Sequence, residues 1–114
     1  MLSLAAACAP DEHLLVVELR SDLVPGVEVD RVRVLVDGAG RAEGGLERGA
    51  ALANGVRVAE SALPTGAHDV LAILERDGSV VLERAVRVEL LRATSVTVLA
   101  TRDCRGVRCP ADDA

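Results

Sequence analysis

Short apolar runs with a period of two dominate this chain. Residues 13–20 place Leu15, Val17 and Leu19 on one face of a strand. A Pro25-Gly26 turn leads into a second extended stretch, 27–36. There Val27 and Val29 fall on odd positions, whereas Val32, Val34 and Val36 fall on even ones. A single period of two cannot keep both sets inside, so a bulge is predicted near Asp30-Arg31. The glycine-rich stretch 37–55 breaks the alternation and reads as a long connection, with room for a helical turn or two at 46–53. Asn54-Gly55 then turns the chain into a short strand at 56–60, and residues 63–66 make another turn. Strand 68–75 follows with Val70, Ala72 and Leu74 inward. Asp77-Gly78, between two apolar runs, is the strongest hairpin signal in the chain. It leads to strand 79–90, where Val80, Leu82, Val86, Val88 and Leu90 share a phase that Arg84 interrupts. A last strand, 95–102, turns Val96, Val98 and Ala100 inward.

Six or seven short strands separated by turns, without a convincing helix, predict an all-β fold: an antiparallel immunoglobulin-like β-sandwich. The length suits the ~100 residues of such domains. Immunoglobulin domains carry a corner tyrosine two residues ahead of a core position on one strand. Here Gly66-Ala67-His68-Asp69-Val70 places His68 two residues before Val70 and just after a turn. His68 is therefore predicted as a structural corner residue whose ring bonds the backbone of that turn. The core tryptophan and inter-sheet disulfide of antibody domains are absent from the pattern.

Composition changes the picture mainly by exclusion. Half of the 114 residues are apolar, yet aromatic content is 0%, so the core is built from Val, Leu, Ala and a single Ile. Single-stranded nucleic-acid binding, proline-rich peptide grooves and methyl-ammonium cages all need rings. The net charge of −5 argues against a duplex DNA partner and against electrostatic binding to anionic lipid. All 13 basic residues are arginine, so Schiff-base and P-loop chemistry have no lysine to use.

The first residues, MLSLAAACAP, carry a different signal. Leu4-Ala5-Ala6-Ala7-Cys8 resembles a bacterial lipobox, where small residues precede a cysteine that is lipidated after cleavage. The segment is shorter than a whole signal peptide, which adds a basic region and roughly 7–15 apolar residues; the alternative is an alanine-rich terminus with an incidental cysteine. Elsewhere no charge-free apolar run approaches the ~18 residues of a membrane span. Cys104 and Cys109, in Cys104-Arg-Gly-Val-Arg-Cys109-Pro110, then form a short-loop disulfide in an oxidising compartment. The alternative, half of a zinc site, needs about four ligands and finds few. The predicted organisation is a partial lipoprotein signal at 1–8, a tether at 9–12, the β-sandwich at 13–102 and a disulfide-closed tail at 103–114.

Other candidate sites are weak. Gly38-Ala39-Gly40-Arg41-Ala42-Glu43-Gly44 misses the dinucleotide spacing by one residue and lacks a βαβ setting. Ser21, Ser61, Ser79 and Ser95 lack a nucleophile-elbow motif that would pair one of them with His13 or His68. Asp11-Glu12-His13 reads as a solvated linker, and no alternating calcium loop occurs. Arg31, Arg33, Arg84 and Arg87, interspersed with Glu28, Glu83 and Glu89, read as cross-strand ion pairs. No catalytic, cofactor-binding or metal-binding residues are predicted.

Leu14-Leu-Val-Val-Glu-Leu19, Asp22-Leu-Val-Pro-Gly26 with Val32-Arg-Val-Leu-Val36, Gly66-Ala-His68, Glu83-Arg84 and Thr101-Arg-Asp-Cys-Arg-Gly-Val-Arg-Cys-Pro110 together resemble secreted lipoproteins of myxobacterial type. The resemblance implies a lipobox cysteine, a small immunoglobulin-like domain and a cysteine-rich continuation, and it brings no catalytic residues. The expected function is that of a non-enzymatic cell-envelope lipoprotein domain. It would be lipid-anchored, facing the periplasm or exterior, and act as an interaction or spacer module. It would touch the membrane only through acyl chains on Cys8, with an unknown protein partner and no nucleic acid. The alternative is a module that binds polysaccharide or peptidoglycan through polar loops.

Overall fold

A computed structural model describes residues 11–45, 52–104 and 108–113. The elements run β1 (Glu12–Ser21), β2 (Arg31–Val36), β3 (Ala39–Gly45), a 3₁₀ turn (Leu52–Asn54), β4 (Val56–Pro64), β5 (Gly66–Arg76), β6 (Ser79–Leu90), β7 (Thr94–Ala100), a second 3₁₀ turn (Arg102–Cys104) and β8 (Arg108–Asp113). The fold is all-β, and no α-helix occurs among the described residues. One sheet has the order β4-β1-β7 and the other β3-β2-β5-β6-β8.

Alternation decides which faces meet. Leu15, Val17 and Leu19 of β1 and Val96, Val98 and Ala100 of β7 point to the same interior as Val32, Val34 and Val36 of β2 and Val70, Ala72 and Leu74 of β5. Leu82, Val86, Val88 and Leu90 of β6 complete that face. All belong to one continuous core, an arrangement compatible with a β-sandwich. Burying such a Val or Leu side chain is worth about 1.5–3 kcal/mol against leaving it in water. Leu23, Val29 and Leu52 are delivered to the same core from outside the strands.

Several details differ from the sequence expectation, each for a local reason. Two strand pairs are parallel rather than antiparallel: β1 with β7, and β6 with β8. The second stretch becomes a strand only at Arg31; Val29 is buried from a loop held by a Pro25–Val29 bridge, so the phase change is a loop entry and not a bulge. The predicted connection at 37–55 begins with β3, which pairs antiparallel to β2 through an Asp37-Gly38 turn. β4 extends to Pro64, beyond the short strand expected. Val80 is 53% exposed instead of inward, because a register shift between Leu74 and Glu75 offsets that end of β6 and brings Val81 against the core. Ile73 is buried to 4% on the opposite, outward face of β5, in register between Arg33 and Glu83. Long charged side chains cover apolar neighbours with their methylenes, which accounts for an isolated buried residue there.

Candidate functional site

The strand directions sort the connections into two ends. One end gathers Asp11, the Asp37-Gly38 turn, the Pro64-Thr65 corner between β4 and β5, and residues 91–93. The other gathers the 22–30 loop, the Asp77-Gly78 turn and the Arg102–Cys104 turn.

At the first end His68 is the central group. It is the inward-facing residue near the start of β5, and it is 8% exposed. Its Nδ1 lies 2.7 Å from Asp37 Oδ2, and its Nε2 lies 2.7 Å from the Pro64 carbonyl oxygen. Both partners are acceptors, so both ring nitrogens donate only when the ring is an imidazolium. The pKa of His68 is accordingly raised above 6.5. The hydrogen bond to Asp37 is the largest cause and the Pro64 carbonyl the next; burial opposes them, and the charges of Asp37 and Glu89 add. Asp37 is held in turn, because Asp69 N donates to its Oδ1 at 2.9 Å while Asp37 N donates to the Asp69 carbonyl at 2.8 Å. Arg87 Nε donates to Asp69 Oδ1 at 3.1 Å.

The corner is also tied to the start of β1. Thr65 N and Thr65 Oγ1 both donate to the Asp11 carbonyl, at 3.0 and 3.2 Å. The hydroxyl proton is thereby used, so His13 Nε2, 3.0 Å from Thr65 Oγ1, is the donor of that pair. His68 thus joins the β2–β3 turn to the β4–β5 corner, and Thr65 joins that corner to β1, so both sheets are stapled at one end.

The other end is held by arginine. Arg102 N donates to Asp22 Oδ1 and its Nη2 to the Asp22 carbonyl, both at 2.9 Å, while Nη1 pairs with Glu28 Oε2. Glu28 Oε1 accepts from Val24 N at 2.8 Å, which closes the 22–30 loop on itself. Beside this clamp is a hollow of about 190 Å³ lined by Arg20, Ser21, Asp22, Ala53, Leu99 and Thr101. It is smaller than the ~300–1,000 Å³ of ordinary ligand pockets.

The sequence-predicted residues fall as follows. Cys8 lies outside the described residues. Cys104 ends the second 3₁₀ turn and Cys109 stands in β8 opposite Arg84, but their side chains, and with them the expected disulfide, lie outside what is described. His68 is at the corner, with its ring on the backbone of the preceding turn. Ser21 is buried, and its Oγ accepts from Leu23 N at 3.0 Å, at the far end of β1 from His13. Among the described residues no group of three or more His, Cys, Asp or Glu side chains is arranged to hold a metal ion. Sequence reasoning missed Asp37 and Arg102. The Asp-Gly pair at 37–38 was a usable signal for the first; the partners of Arg102 lie too far away in sequence for any local pattern to reveal. Chemically, these constellations hold backbone segments in place: both nitrogens of His68 and both oxygens of Asp37 are already engaged. No protein-family model, curated protein or solved structure matches the chain.

Proposed function

We propose that this chain is the folded domain of a non-enzymatic cell-envelope lipoprotein, carried on acyl chains at Cys8 and serving as an interaction or spacer module. The observation that carries this reading is the sequence Leu4-Ala5-Ala6-Ala7-Cys8 placed four residues ahead of β1, which starts at Glu12. Four residues reach at most about 14 Å, so the His68 end would face the membrane surface. Leu14 and Leu91, 40% and 60% exposed at that end, suit such a position.

The strand order supports an immunoglobulin-like assignment. In those domains strand B pairs with E, and C, F and G lie side by side with C′ next to C. The pairs β1 with β4, and β3-β2-β5-β6, follow that order. β5 then corresponds to F, and His68 at its start, bonded to a carbonyl four residues upstream, supports the corner role. β7 takes the place beside B that strand A usually holds, running parallel to it. The module would have a protein partner and no nucleic acid, and would be resident in the envelope facing periplasm or exterior.

The test is metabolic labelling with palmitate in a bacterial host that expresses the chain from its own gene. Label that disappears in Cys8→Ser supports the anchor. An unlabelled parent chain overturns it.

A further inference from the structure

The four sheet edges are not alike. β4, at one edge of the smaller sheet, carries Arg57, Glu60 and Pro64, is offset by a register shift against β1, and lies against β3. β3 contains three glycines with Arg41 and Glu43, and its pairing with β2 is also shifted. β8 contains Arg108, Pro110, Asp112 and Asp113. Charges, proline, glycine and register shifts are the devices that keep an edge from pairing with another chain.

β7 has none of them. Its sequence Thr94-Ser-Val-Thr-Val-Leu-Ala100 is uncharged and rich in β-formers, in a chain that is 27% charged. It pairs with β1 over all seven residues without a register shift. Among the described residues it has no strand on its other side. Ser95, Thr97 and Leu99 are exposed, Leu99 to 54%.

We propose that β7 is a self-association edge, and that its occupant is β7 of a second copy of this chain. The argument is the charge pattern. A two-fold interface sets each residue against its own reflection, so a charged strand centre would meet a like charge. β7 meets no such penalty. Antiparallel pairing centred on Thr97 sets Val96 against Val98 on the inner face and Ser95 against Leu99 on the outer face. It also sets Thr94 against Ala100, and the result is a continuous six-stranded sheet. A foreign partner selected by charge would find nothing on this edge to read. A single strand pair buries less than a standard interface, so the dimer is weak and concentration-dependent. The inference is independent of the anchor: it concerns β7, and palmitate labelling reads Cys8.

The experiment is sedimentation velocity on the full 114-residue chain across a range of concentrations. The expected result is a reversible doubling of the 11.9 kDa mass. Thr97→Lys and Thr97→Glu each keep the circular dichroism of the parent and stay monomeric, and an equimolar mixture of the two restores the doubled mass. Amide exchange on the parent gives a readout that needs no variant, because β7 amides slow as concentration rises. A chain that stays monomeric, association indifferent to both variants, a mixture that fails to reassociate, or β7 exchange unchanged with concentration each overturns the proposal.

Discussion

Two Asp-Gly turns occupy opposite ends of the two-sheet fold with nearly the same backbone. Asp37 and Asp77 both have φ 53°, followed by Gly38 at 83° and Gly78 at 81°. Positive φ at both central positions is the two-residue turn that matches strand twist, which is why Asp-Gly serves in each. The difference lies in what the carboxylates reach. Asp37 spans from the turn to His68 and to the Asp69 amide, and so to the β4–β5 corner. The side chain of Asp77 is 79% exposed and, among the described residues, pairs with its neighbour Arg76 at 3.3 Å. Turn chemistry explains the presence of both residues; only the long-range partner separates a local turn from a staple between sheets.

The contrast can be broken most forcefully at His68. His68→Ala removes the donor to the Pro64 carbonyl and to Asp37 Oδ2, and is expected to cost about 1–3 kcal/mol. That corresponds to a melting temperature lower by roughly 5–20 °C. Calorimetry measures it, and an unchanged melting temperature would sink the corner role.

Next in size is Asp37→Asn, which keeps the turn, since Asn also accepts positive φ, but removes the anion. A loss of about 1 kcal/mol is expected. Its pH dependence has a definite sign. The folded pKa of His68 is raised above 6.5, so the stability it adds is complete below pH 6.5 and is lost as pH rises through the raised value. Urea unfolding of parent and variant should therefore show a gap that is widest in mild acid and narrows in mild alkali. A gap that widens with pH contradicts the imidazolium assignment.

A smaller, local effect is expected from Arg102→Ala. Arginine stays charged across this range, so the far end should show no comparable pH response. Amide exchange should quicken in the 22–30 loop, with Val24 as the most direct reporter, while global unfolding barely moves; high salt should mimic part of the change in the parent. Smallest is Asp77→Asn, within about 0.5 kcal/mol of the parent at any pH. Were it to match Asp37→Asn, the distinction between the two turns would fail.

Alternation made β1, β7 and most of β5 and β6 legible, because a half-buried strand writes its inner face into every second residue. β3 was not legible for the complementary reason. It lies at an edge, contributes only Ala42 to the core among its described side chains, and its glycines carry no pattern. β8 is hidden in the same way, its charges and proline resembling a solvated tail. Asp77-Gly78 stood out because apolar runs flank it on both sides, whereas Asp37-Gly38 has such a run on one side alone. The spacing to Val70 singled out His68, and its Nε2 lies against the Pro64 carbonyl of the preceding turn. Its partner 31 residues earlier in the chain was not legible, since only the pairing of β2 with β5 brings Asp37 alongside.

Ile73 is the only isoleucine of the chain, and it sits on the outward face of the central strand of the larger sheet. Selective ¹³C labelling of isoleucine δ1 methyls would therefore yield a single resonance, free of overlap and remote from the β7 edge. That leaves a built-in spectroscopic tag just beneath the sheet face opposite the aliphatic interior. Any molecule that settles onto that sheet should announce itself by moving one peak.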